Sequence, residues 1–351
     1  MEKQNFMLGI VGLGGMGNWH RELIETIDGL EVAGIYDISE ARVKFAEEVG
    51  VKAYESLDAL LEDERIDIVL VSTPNDLHNP IAIKAMRAGK NVVSEKPVTL
   101  SSKDLQEMID VSKETGKLFT VHQNRRWDED FLTMKKIYDE HILGDIYRIE
   151  SRVHGSRGIP GDWRQEKEHG GGMVLDWGVH LLDQILLMMG ATKLKSVYAT
   201  ETHVTNQLVD DGFSAELRFE NGLDVLVEVG TSNFINLPRW YMLGVNGTAI
   251  IEDWNLKGQI VSAAGKDETD VVPVRTAAGL TKTMAPRRED TIQKQELPVV
   301  NSDIRDFYRN VMAVIAGKEE PKVKLPEVMR VMKLMEAIFD SSSKHQVVDF
   351  E

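Results

Sequence analysis

The chain has 351 residues, of which 42% are hydrophobic and 28% charged, the composition of a folded globular protein large enough for two domains. A net charge of −16 argues against a nucleic-acid or anionic-membrane partner, because either contact needs a basic surface. With no cysteine there is no disulfide, thiolate nucleophile or cysteine zinc site; with no signal-peptide core and no run of about twenty apolar residues, a cytoplasmic location is expected.

Met7 to Val11 is a short apolar run that enters Gly12-Leu13-Gly14-Gly15-Met16-Gly17, and an amphipathic segment follows at once. In the order strand, tight turn, helix, the G-x-G-x-x-G pattern has a physical use. Gly12 allows the turn, Gly14 lets a pyrophosphate approach the backbone, and Gly17 lets helix and strand pack closely. Gly15 and Met16 belong to the same cofactor-binding turn. Alone this signal is weak, since glycine runs also occur in ordinary turns. The next strand, 32–36, ends at Asp37, about twenty residues past the last glycine, where a dinucleotide fold places the carboxylate that accepts from the ribose hydroxyls. Asp37 would repel a 2′-phosphate, so NAD is expected over NADP, and Arg42 lies too far along the next helix to be the usual phosphate clamp. The bland alternative for Asp37 is a helix N-cap.

Up to residue 121 strand and helix alternate, the pattern of a parallel sheet wrapped by helices. Helices are predicted over 16–27, 39–49, 57–62, 77–88 and 102–115, with strands over 66–73, 91–95 and 118–122. Gly50, Gly89 and Gly116 sit where helix stops belong. The right-handed crossover rule makes a doubly wound sheet the simplest topology, and such sheets bind ligands at the carboxyl ends of their strands. Two of those ends are polar, making Thr73, Pro74, Asn75, His78, Glu95 and Lys96 candidate cofactor contacts. Asn75 reads equally as an N-cap. Lys96, directly ending a buried strand and followed by proline, projects into the crevice.

From residue 122 the pattern changes. A helix over 130–141 and a strand over 146–154 precede strands over 196–203, 213–219, 223–230, 240–245 and 248–253, with Asn221-Gly222 as a hairpin turn. This half is expected to be an α/β domain, 122–351, built on a largely antiparallel open sheet, beside a first domain of 1–121. The polar stretch 264–298 reads as a long loop or arm. Helices over 304–316 and 327–341 are expected to pack back across the domain boundary.

The stretch His169 to Asp183 combines three glycines with a helical apolar spacing. Asp176 and His180 are four apart and so share one helix face, where a carboxylate can fix an imidazole's tautomer and raise its basicity, as a general base requires. The apolar flanks make this helix buried. No metal is expected, because its ligands are not clustered in the sequence.

Together GLGGMG with Asp37, TPNDLH at Thr73 to His78, EKP at Glu95 to Pro97, NRRWD at Asn124 to Asp128 and GGGMVLDWGVHLLD at Gly170 to Asp183 resemble the Gfo/Idh/MocA family over nearly the whole chain. The resemblance implies a Rossmann domain followed by an α/β domain whose open sheet forms a homodimer or homotetramer interface. It also implies a catalytic set of Lys96, Asp176 and His180, a cis Lys96-Pro97 bond, and polyol, sugar or glycoside substrates. The chemistry suits those residues: hydride leaves a secondary alcohol carbon for NAD⁺ while an imidazole takes the hydroxyl proton and an ammonium stabilises developing alkoxide. His180 is assigned as base, Lys96 as electrostatic partner or alternative base, and Asp176 as orienter of His180 or a substrate ligand. Arg125, Arg126, Asp162, Trp163 and Arg164 are the expected substrate contacts, suited to stacking on a sugar ring and hydrogen bonding its hydroxyls. The expected activity is NAD-dependent oxidation of a ring hydroxyl. The alternatives are a redox-neutral enzyme that retains NAD and a non-catalytic regulator.

Overall fold

The computed structural model describes residues 5–264 and 271–350. Strands β1 (Phe6–Val11), β2 (Leu30–Tyr36), β3 (Ile68–Val71), β4 (Asn91–Ser94) and β5 (Phe119–Val121) form a parallel sheet in the order β2-β1-β3-β4-β5. The chain steps from β2 across β1 to β3, so a crevice opens at the carboxyl ends of β1 and β3, where the connections part in opposite directions. All four residues of β3 are buried, as a central parallel strand requires.

The helices α1 (Gly15–Ile24), α2 (Glu40–Glu48), α3 (Leu57–Glu62), α4 (His78–Arg87) and α5 (Ser102–Thr115) follow the predicted order. The signals for α5 are local: the Ser101 hydroxyl accepts from the Asp104 N–H at 3.1 Å, and Gly116 ends the helix with φ 64°. The predicted helix 77–88 starts differently. A single 3₁₀ turn, Asn75–Leu77, comes first and carries the strand-end residues into the crevice.

The second half is built on β6 (Ile146–His154), β7 (Leu194–Thr202), β8 (Gly212–Phe219), β9 (Asp224–Gly230), β10 (Trp240–Gly244), β11 (Gly247–Ile251), β12 (Gly258–Ala263), β15 (Ile292–Gln295) and β16 (Val348–Asp349). Among the described residues these make one sheet, β15-β12-β11-β10-β6-β9-β8-β7-β16, antiparallel except at β6–β9. The turn between β8 and β9 falls at Asn221-Gly222, where Gly222 has φ 86°. The stretch 264–298, expected to be a long loop or arm, carries short strands. That stretch includes a hairpin, β13 (Val274–Thr276) and β14 (Gly279–Thr281), and then β15, which extends the sheet by pairing with β12. Residues 265–270 lie outside the described residues.

Helix α6 (Glu129–Asp139) precedes β6, and α7 (Val179–Met189) packs in the interior. Leu181, Leu182 and Ile185 are fully buried there, each contributing on the order of 2 kcal/mol of apolar transfer. The stretch Lys167–Met189 is long and apolar enough to cross a membrane by length and composition, but it is 83% buried within the protein, as a core helix is. Helices α8 (Arg305–Ile315) and α9 (Leu325–Lys344) close the chain. Helix α9 packs on α5 and β5 as well as α7 and β7, and Glu336 accepts from the Ser102 N–H at 2.7 Å and its hydroxyl at 2.8 Å.

Candidate active site

A cavity of about 790 Å³ runs along the carboxyl ends of the parallel strands and beneath the segment that leads into α7. Its nucleotide end is backbone. α1 starts at Gly14 with no side-chain cap and no acidic residue in its first turn, so its positive end is open to an anion. A Cβ at Gly14 or Gly15 would meet nothing within 4 Å, which leaves room for a diphosphate beside them and Met16. Gly17 acts behind this surface: a Cβ there would lie 2.1 Å from the Gly12 carbonyl oxygen, so only glycine lets α1 sit against the turn. Gly12 itself has φ 92° and its Cβ would lie 2.8 Å from Ser72 O. These residues fit a dinucleotide.

Asp37 stands at the end of β2 and lines the same cavity. Its carboxylate accepts from the Leu13 N–H at 2.6 Å and the Ser39 N–H at 2.8 Å, holding the glycine turn to the strand end. Arg42, in the first turn of α2, lines the same cavity.

All the polar strand-end candidates, Thr73, Pro74, Asn75, His78, Glu95 and Lys96, line the cavity, and several of them also brace it. The Asn75 amide, no N-cap, donates to Gly170 O at 3.0 Å, tying the two halves together. His78 is fully buried with its ring nitrogens 2.9 Å from both Pro97 O and Thr73 O, so it braces both loops and keeps no nitrogen for a cofactor. Glu95 is likewise a brace. Its Oε1 lies 2.7 Å from His20 Nε2 and 2.8 Å from His122 Nδ1, and its Oε2 accepts from the Lys96 N–H at 3.1 Å.

The sequence did not reveal that cluster, which gathers three groups of the kind that bind metals. Its contacts are those of hydrogen bonds. The Tyr308 hydroxyl donates to His20 Nδ1 at 2.6 Å, leaving Nε2–H for Glu95. Burial, then His122, pushes His20 down to about 4. Burial would raise Glu95, but His122 and His20 override it and keep the carboxylate well below its usual range.

Lys96 follows, joined to Pro97 by the cis bond the resemblance implied. Its ammonium donates to Asp176 O at 2.9 Å and Asp176 Oδ1 at 3.1 Å, and Arg164 Nε donates to Asp176 Oδ2 at 3.3 Å. Burial would raise the Asp176 carboxyl, yet Lys96 and Arg164 hold it below the ordinary value. Among the described residues Asp176 is hydrogen-bonded to Lys96 and Arg164 and not to His180. Val174–Gly178, which carries Asp176, is a π-helical turn. The N-terminal end of that turn is held by Asp210, whose Oδ2 accepts from Met173 and Val174 N–H groups at 2.8 Å each.

His180 is buried, lines the cavity beside Lys96, and its Nδ1 has no hydrogen-bond partner. Burial first, then the charges of Lys96 and Arg125, hold its pKa well below the ordinary value, so at neutral pH the ring is an unprotonated acceptor.

The expected substrate contacts separate. Arg125, Asp162, Trp163 and Arg164 line the cavity. Arg126 does not: it is buried, with Nε and Nη2 on Asp183 at 2.7 and 2.6 Å and Nη1 on Glu327 at 2.7 Å, a pair that fastens α7 to α9. Sequence reasoning passed over Trp177 and Asn124, both cavity residues. Trp177 stood in plain view between Asp176 and Gly178. Trp254, 5.9 Å from Trp177, carried no local signal at all.

Two family profiles match: "Oxidoreductase family, NAD-binding Rossmann fold" over residues 6–123 and "GFO/IDH/MocA C-terminal domain" over residues 131–250. The chain belongs to the Gfo/Idh/MocA family of oxidoreductases, and it is an NAD-binding oxidoreductase. A solved NAD-binding protein from Listeria innocua is similar, with 48% identity, a TM-score of 0.96 and 99% of each chain covered. An uncharacterized oxidoreductase of Schizosaccharomyces pombe, C115.03, is 31% identical over 83% of both chains. The scyllo-inositol 2-dehydrogenase (NADP(+)) IolW of Bacillus subtilis is 27% identical, covering 98% of this chain and 96% of that protein.

Proposed function

We propose that the protein is a cytoplasmic NAD-dependent dehydrogenase that oxidises a ring secondary hydroxyl of a sugar, glycoside or inositol-type polyol. One observation carries this reading: Lys96 from the parallel-sheet half and His180 from the other half line the same cavity as the glycine turn. The relatives named as inositol dehydrogenases support the substrate class.

Gly14, Gly15 and Met16 would hold the diphosphate and Asp37 the ribose, and the bound dinucleotide supplies the hydride acceptor. His180, neutral because its pKa is held well below the ordinary value, takes the hydroxyl proton as the C–H electron pair leaves and the carbonyl forms. The Lys96 ammonium faces the oxygen on which negative charge develops. Asp176 keeps that ammonium in place, and the Glu95 cluster fixes the backbone from which it projects. Arg125, Trp163 and Arg164 border the ring.

The 1–121 and 122–351 division belongs to the same proposal, as does pairing of copies through the C-terminal sheet, where Tyr147 and Tyr198 are exposed. The test is incubation with NAD⁺ and a panel of polyols, hexoses and glycosides while following NADH absorbance. Accumulation of NADH with a ketone product supports the reading, and no NADH from any member of the panel overturns it.

A further inference from the structure

A second cavity, of about 550 Å³, adjoins the first and shares Arg125, Asp176 and Trp177 with it. That volume lies within the roughly 300–1,000 Å³ of ordinary small-molecule sites. We infer that it takes a second sugar unit, so that the substrate is a glycoside with its reacting ring beside Lys96 and His180 and a further ring beyond Trp177. The inference rests on the dehydrogenase reading for the position of the first ring.

The lining suits a pyranose. Val153, Met173 and Val229 present an apolar surface, as the C–H face of a sugar requires. Trp254, 51% exposed, stands at the cavity wall and offers a flat indole for stacking. Arg125 crosses from one cavity to the other, its guanidinium carbon 4.2 Å from the Trp177 ring and 5.5 Å from that of Trp254. Its Nε is buried with no hydrogen-bond partner. At the open side Arg157 is exposed and, among the described residues, engages no carboxylate. Arg125 already pairs with Asp128 at 2.9 Å, so the guanidinium left with donors for hydroxyl oxygens is that of Arg157. His154, by contrast, is spent on Glu228 at 2.8 Å and serves as wall. An inositol ring between Lys96 and His180 would leave this second surface unused.

The experiment has two readouts. Tryptophan fluorescence of the NADH complex is titrated with glucose, methyl glucosides and myo-inositol, then with maltose, cellobiose, sucrose and trehalose; NADH formation from NAD⁺ is measured on the same panel. The expected result is at least one disaccharide binding tenfold or more tightly than its own monosaccharide. Trp254→Ala should remove at least tenfold more affinity for that disaccharide than for the monosaccharide, and Arg157→Ala, at an exposed position, should act in the same direction. Monosaccharides binding as tightly as every disaccharide, or both variants weakening the two classes equally, overturns the inference. The two claims fail separately: a disaccharide that binds without NADH formation contradicts the dehydrogenase reading alone, whereas NADH from inositol and monosaccharides alone contradicts only the two-unit site.

Discussion

The Asp176 carboxylate lies 3.1 Å from Lys96 Nζ, contributed by the other half of the chain, and makes no hydrogen bond to His180, four residues along its own. Asp176 is thus the counter-ion of the ammonium and not a hydrogen-bond partner of the imidazole. This separation makes Asp176→Asn milder than His180→Ala. The asparagine variant should lose roughly tenfold to a hundredfold in kcat/KM, the size of a misplaced electrostatic group. A loss equal to or larger than that of His180→Ala, measured on the same substrate, would mean that the carboxylate does act through the imidazole.

Removing the base itself has a larger effect. His180→Ala should lower kcat at least about a hundredfold, while NADH binding measured by fluorescence stays at the wild-type level. Turnover close to wild type would take the proton-acceptor role away from this residue.

The pH profile carries a sign. Burial, Lys96 and Arg125 depress the His180 pKa from its ordinary 6.5, so the ring keeps its proton-free, active form to lower pH than a free imidazole. The acid limb of kcat/KM therefore falls below pH 6.5. Lys96→Gln removes one of the depressing charges and should move that limb upward while lowering the plateau. A limb that stays in place in the variant would show that another group titrates.

Arg126 and Asp183 test the framework. Both side chains are at least 94% buried, and their two hydrogen bonds of 2.7 and 2.6 Å join the turn after β5 to α7. Asp183→Asn leaves a buried guanidinium short of its counter-charge and should cost about 3–5 kcal/mol in urea unfolding. A change below about 1 kcal/mol would show the pair to be dispensable.

Asp37 and Arg42 line the same cavity, and cofactor choice tests the role proposed for Asp37. Asp37→Ala should raise KM for NAD⁺ and narrow the preference over NADP⁺, because the arginine then meets a 2′-phosphate without an opposing carboxylate. An unchanged ratio of kcat/KM for the two cofactors would place ribose recognition elsewhere.

What could be read from the sequence was what local chemistry determines. The glycine turn, Asp37 at a strand end, the fully apolar β3 and the capped α5 each depend on a few consecutive residues. The errors arose where partners are distant. Arg126 meets its carboxylate 57 positions away, and the Glu95 cluster draws on residues 20, 95, 122 and 308. Lys96 and Arg164, which engage Asp176 in place of His180, lie 80 and 12 positions away. β12 and β15 are short, and β15 is mostly exposed at the edge of the sheet, so neither shows the apolar alternation of a half-buried strand.

The central claim is that hydride leaves a ring carbon held between Lys96 and His180. It is tested most directly by supplying a glycoside deuterated at each ring carbon in turn and analysing the reduced cofactor by mass spectrometry. The account predicts that one labelled position passes its deuterium to NADH in step with ketone formation, and that His180→Ala slows this transfer. Product formed with no deuterium on the cofactor from any ring position would contradict it.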